Sequence, residues 1–181
     1  METAFTARKM ATAALTAAVL CILGPWSLPI GPVPFSLAAF GVYLSAYLLG
    51  WRLAGLSYLC YLILGLAGVP VFTGFTGGLW RLAGPTGGYL IGMLPMAVLI
   101  GLAAEKTNRR TLPCCLAMAV GTLLNYLFGT AWFCVQTGCG VVYALGICVA
   151  PFVVFDGIKI ALALALGTPL HRRLRRAGYI I

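Results

Sequence analysis

The chain has 181 residues, 62% of them hydrophobic and 8% charged, with a mean hydropathy of +1.03 and a formal net charge of +9. A water-soluble domain carries about 25% charged residues, so this composition excludes a soluble enzyme or binding module and leaves a membrane protein. The positive charge does not signal nucleic acid. Ten of the twelve Lys and Arg (Arg8, Lys9, Arg52, Lys106, Arg109, Arg110, Arg172, Arg173, Arg175 and Arg176) sit at the ends of apolar runs. They fall at every second boundary, as the positive-inside rule requires of a multi-pass protein.

The first expected span covers residues 9–23; more long apolar runs follow it, so it reads as a retained helix and not as a signal peptide. Its pairs Ala13/Ala17 and Ala14/Ala18 are small-xxx-small patterns that admit another helix closely; equally, Ala is simply a good helix former. Pro25, Pro29, Pro32 and Pro34 then make a connection too proline-dense to be helical. A short span 2 over 35–50 leads to Trp51-Arg52, an aromatic beside a charge at the inner interface. Span 3 follows over 53–69. The stretch 73–88, TGFTGGLWRLAGPTGG, has six Gly in sixteen residues and reads as an outer, hydrophilic lid over a binding site. Its Phe75, Leu79 and Trp80 argue against disorder.

Span 4 is expected over 88–104, with the polar run 105–110 inside, and span 5 over 112–134 with Asn125 near mid-depth. The apolar run 141–170 has 30 residues. As one straight helix it would be about 45 Å long against about 30 Å of hydrocarbon. Pro151 resolves the excess, because proline suits the first turn of a helix and disrupts its interior. Span 6 therefore runs 151–170, and 138–150 becomes a separate interfacial piece before the basic tail 171–176. The expectation is one all-α membrane domain over 1–181. It has six transmembrane helices, cytoplasmic N- and C-termini and a glycine-rich outer loop between helices 3 and 4.

Only Glu2, Glu105 and Asp156 are acidic, and Asp156 alone falls inside a span. Lys159 follows at i+3 on the same helix face. Each such group costs about 2.5–3.5 kcal/mol to insert, so the pair either satisfies itself or anchors a polar ligand. Arg81 in the lid adds a cation suited to a carboxylate, or else a solvated charge. Tyr89, Trp80, Phe75 and Phe72 are candidates to wall the apolar part of a ligand, and Thr73, Thr76, Thr86, Asn125 and Gln136 to hydrogen-bond it. The seven Cys read as small packing residues. No GxxxxGK[ST] motif occurs and His171 is the single histidine. A P-loop, a histidine-dependent metal site and a Ser-His-Asp triad are therefore all excluded.

GPVPFSL (31–37), LGLAGVPVFTGFTGG (64–78), GPTGGYLIG (84–92) and PFVVFDGIK (151–159) resemble BioY, the biotin-specific membrane subunit family of energy-coupling-factor (ECF) transporters. The resemblance implies a six-helix, non-enzymatic capture subunit in a prokaryotic cytoplasmic membrane, taking biotin from outside. It implies a transmembrane coupling subunit and two ATPase subunits as partners, with ATP used only by them and no cofactor or metal of its own. Asp156 and Lys159 would anchor biotin's polar groups, and the 73–89 loop would close over it, bringing Thr73, Gly74, Arg81, Thr86, Gly87, Gly88 and Tyr89 to the substrate site; Asn125 joins this set from the reading of the residues alone. Ala13/Ala17 or Ala14/Ala18 would dock the coupling subunit. Where the family often has Gln, this chain has Ala38, so no polar contact carries over to that position. Two other classes stay open on the residues alone. One is a proton-coupled small-molecule secondary transporter with Asp156 titrating, and the other an intramembrane enzyme acting on a lipid.

Overall fold

The computed structural model describes residues 7–28 and 33–176, and these contain eight α-helices and one two-stranded hairpin. Glu2, Pro29, Pro32 and both chain termini lie outside the described residues. In chain order the elements are α1 (Ala7–Leu23), β1 (Ser27–Leu28), β2 (Phe35–Ser36), α2 (Ala38–Leu49), α3 (Trp51–Leu66), α4 (Trp80–Ala83), α5 (Gly87–Lys106), α6 (Thr111–Thr137), α7 (Val141–Cys148) and α8 (Ala150–Arg176).

Three helices, α5, α6 and α8, are long and apolar enough to cross a membrane; Lys9–Leu23, α2 and α3 are shorter apolar helices. At about 1.5 Å per residue, the 12 residues of α2 reach well short of a hydrocarbon core. Of the proline-dense connection, the described residues 24–28 and 33–36 are non-helical, and they form an antiparallel pair, Ser27 opposite Ser36 and Leu28 opposite Phe35. Ser36 ends it: its Oγ donates to the Gly24 carbonyl at 3.2 Å and accepts the Ala38 N–H at 3.0 Å, which starts α2.

The joint between α2 and α3 is Gly50 at φ 79°. A Cβ there would collide with the Glu105 carboxylate from α5, so glycine is required both by conformation and by space. Arg109, in the turn between α5 and α6, donates from Nε to the Tyr47 carbonyl (2.9 Å) and from Nη2 to the Leu48 carbonyl (3.1 Å). It thereby caps the last turn of α2. α6 stops at Gly138 in the left-handed region, whose N–H reaches the Cys134 carbonyl. The long apolar run breaks as expected, into α7 and an α8 with Pro151 in its first turn. Its far end differs from expectation. The helix continues past Pro169 to Arg176, and Arg173, Arg175 and Arg176 in the last turn complement the helix dipole.

The core is built on tyrosines. Tyr43, Tyr47, Tyr58 and Tyr61 are fully buried, yet each hydroxyl has a partner. Tyr43 meets Thr122 Oγ1 at 2.6 Å, Tyr58 donates to the Leu90 carbonyl at 2.6 Å, Tyr61 to Val71 and Tyr47 to Arg109. An apolar surrounding makes an unpaired hydroxyl costly, so these bonds tie α2 to α6, α3 to α5, α3 to the glycine-rich segment and α2 to the α5–α6 turn.

Candidate functional site

At the end of the bundle opposite Arg109, a cavity of about 80 Å³, open on one side, lies between α2, α5, α6 and α8. The hairpin contributes Val33, Pro34, Phe35 and Ser36 to its wall, Phe72 adds to it from just before the glycine-rich segment, and that segment contributes Thr73, Arg81 and Thr86.

Asp156 and Lys159 both line it and are 8% and 6% exposed. Lys159 Nζ is 2.8 Å from Asp156 Oδ1, while Asp156 Oδ2 accepts the Tyr126 hydroxyl from α6. The ammonium also sits 3.9 Å from the centroid of the Phe35 ring, a cation–π contact, and Phe35 is itself braced by Phe155. The charges pair with one another, and they do so at the wall of the cavity. Neither is exhausted by the pairing. A carboxylate has about four acceptor sites and an ammonium three donors, so both retain capacity for a ligand.

A second polar pole is in the glycine-rich segment. A tight turn, Phe72 N–H to Thr76 carbonyl at 2.9 Å, is held by Arg81, whose Nε donates to Thr76 Oγ1 (2.7 Å) and Nη2 to the Thr73 carbonyl (2.6 Å). Burial lowers the Arg81 pKa from its ordinary value, with Tyr61 acting the other way. Of its five N–H donors, two are thus spent on its own segment. The segment includes the short helix α4, so it is an ordered cover with internal structure.

Of the substrate-binding candidates, Asp156, Lys159, Arg81, Thr73, Thr86, Tyr89 and Asn125 line the cavity. Gly74, Gly87 and Gly88 do not. Gly74, at φ 73°, faces open space and its N–H bonds the Pro25 carbonyl; Gly87 is packed against the Leu82 backbone and Gly88 against Trp132 and Phe128. Phe72 and Tyr89 wall the cavity, whereas Phe75 and Trp80 point outward, 61% and 59% exposed. Gln136 is exposed near the end of α6, away from the wall. Thr76 acts through Arg81.

The sequence reading missed Ser36, Phe35, Tyr61, Met93, Tyr126 and Phe152. Phe152 was open to discovery, being one turn before Asp156 on the same face of α8. Tyr126 was not, because its pairing with Asp156 spans 30 residues of sequence. The two alanine pairs lie on different faces of α1. Ala13 and Ala17 are buried, with Ser57 Oγ of α3 donating to the Ala13 carbonyl at 2.9 Å, so they pack α1 into its own bundle. Ala14 and Ala18 are exposed on the other face of α1, beside Leu15 and Ile22.

These features define a helical membrane protein with a largely apolar, partly open cavity at one end of the bundle and a charged pair in its wall. The BioY family model matches residues 1–176, and the chain belongs to the BioY family. It is 37% identical over 172 residues to the biotin transporter BioY of Thermotoga maritima, covering 84% of this chain and 90% of that one. It is 39% identical over 161 residues to biotin transporter BioY2 of Lactococcus lactis subsp. cremoris, covering 89% and 88%. The fold matches a crystal structure of the S-component for biotin from an ECF-type ABC transporter with a TM-score of 0.84 and 29% identity, over 97% of this chain and 95% of that one. The family is one of transporter components, not of enzymes.

Proposed function

We propose that this protein captures biotin from the external side of a prokaryotic cytoplasmic membrane and mediates its import as the substrate-binding subunit of an ECF-type transporter. The observation that carries this reading is the buried Asp156–Lys159–Tyr126 cluster at the wall of a cavity whose cover supplies Arg81. Biotin has the matching chemistry: ureido N–H groups and a carbonyl at one end, an apolar sulfur-containing ring, and a carboxylate at the other. Asp156 accepts from the ureido N–H groups, Phe72, Tyr89, Met93 and Phe152 enclose the apolar ring, and the cations serve the carbonyl and carboxylate.

In this reading the chain crosses the membrane six times, α1, α2, α3, α5, α6 and α8 being the spans. The Arg109 end lies in the cytoplasm and the glycine-rich cover outside. ATP is hydrolysed by two partner subunits, and no cofactor or metal is held here. The exposed Ala14/Ala18 face of α1 receives the transmembrane coupling subunit. The test is isothermal calorimetry of the detergent-purified protein with biotin, followed by the same titration on Asp156→Asn and Lys159→Ala. Saturable binding that both variants weaken is expected. Wild-type affinity in both would refute the site. Uptake lost to a protonophore at constant ATP would instead favour a proton-coupled secondary transporter.

A further inference from the structure

Three buried side-chain atoms have no hydrogen-bond partner among the described residues: Asn125 Oδ1, Thr130 Oγ1 and His171 Nδ1. Asn125 alone of the three residues lines the cavity. It is 5% exposed, on α6, beside the Tyr126 that bonds Asp156. Its Oδ1 rests against Gly92 of α5, where a Cβ would come within 2.6 Å of it. Any side chain at position 92 would displace the carboxamide, so the bare backbone there makes room for an amide that the protein itself does not bond. Leu would fill this site at similar volume without stranding an acceptor. Buried polar atoms nearly always have a partner, and an orphan at a cavity wall therefore points to a partner that arrives with the ligand.

Resting on the biotin reading above, we propose that Asn125 is a specificity-determining residue that reads the ureido edge of the ligand. Its carboxamide oxygen accepts one ureido N–H, sharing that ring edge with Asp156, which keeps the other, while its amide N–H donates to the ureido carbonyl. A carboxamide is the one neutral side chain offering a donor and an acceptor side by side, which is the complement of an –NH–C(=O)– edge. Its terminal torsion is soft, so it can turn from Gly92 to the ligand. The Asp156 carboxylate does not distinguish a urea from a guanidinium by itself, since it accepts from either. Asn125 does distinguish them, because only the urea has an acceptor for its N–H.

The test compares biotin with 2-iminobiotin, in which the ureido oxygen is replaced by a protonated imino nitrogen. Binding of each is measured by calorimetry to wild type, Asn125→Leu and Asn125→Asp in detergent. Asn125→Leu should lower biotin affinity by about ten- to a hundredfold. Asn125→Asp should shrink the preference for biotin over 2-iminobiotin by about tenfold or more, since a carboxylate pairs with a guanidinium edge. Elution volume and melting temperature establish that the variants fold; if the Leu variant does not, the preference ratio of the Asp variant decides. Unchanged biotin affinity in Asn125→Leu, or one common preference ratio in all folded proteins, overturns the assignment. Those outcomes spare the capture function, whereas a wild-type protein that binds no biotin removes both.

Discussion

Replacing Asp156 by Asn separates the two jobs assigned to the charged cluster. The substitution keeps the shape and the Tyr126 contact but removes the charge that holds Lys159 Nζ at 2.8 Å, leaving an ammonium 6% exposed with the Phe35 ring as its remaining neighbour. Breaking one side of a buried pair costs about 3–5 kcal/mol. Biotin binding should fall by about 1–3 kcal/mol for the lost charged acceptor, some five- to 150-fold. The double variant Asp156→Asn/Lys159→Met has no stranded charge, so its melting temperature should return toward wild type while its affinity for biotin stays low. Thermal unfolding and calorimetry on the four proteins of this cycle give both quantities. Recovery of stability and affinity together in the double variant would show that the pair only holds helices in place, and the ligand argument would be lost.

Three further outcomes follow from other parts of the molecule. Arg81→Gln removes the guanidinium that ties Thr73 to Thr76, so the cover loosens and biotin should dissociate about tenfold faster in stopped-flow experiments, a loss of about 1.4 kcal/mol. Gly50→Ala combines a φ of 79° with a collision against Glu105 and should destabilise the protein by more than about 1 kcal/mol, read as a lower melting temperature with little change in biotin affinity. Ala18→Trp on the exposed face of α1 should leave biotin binding by the isolated protein intact and abolish uptake by the assembled transporter, whereas Ala17→Trp, inside the bundle, should cost stability in the protein alone.

Local features were legible from the chain. Composition alone assigns the membrane class, Pro151 marks the start of α8, and the i,i+3 spacing of Asp156 and Lys159 places both charges on one helix face. Each of these depends on residues within a turn or two of one another, where helix geometry is enough. The conspicuous glycines were a weaker guide. Gly87 and Gly88 answer to the Leu82 and Phe128 carbonyls and the Trp132 side chain, and the sequence does not separate a glycine that admits a neighbour from one that admits a ligand.

Tertiary packing decided the remainder. It set Tyr126 and Phe35 around the charged pair, turned Ala13 inward and Ala14 outward on the same helix, and left Asn125 facing a cavity without a partner. These outcomes join residues tens to more than a hundred positions apart. They are settled by how helices of differing length dock, and no period or motif along the chain encodes that. The amino-acid order determined which segments are apolar and which charges they carry; only the docking of those segments determined which polar groups satisfy one another and which are left at the cavity without a partner.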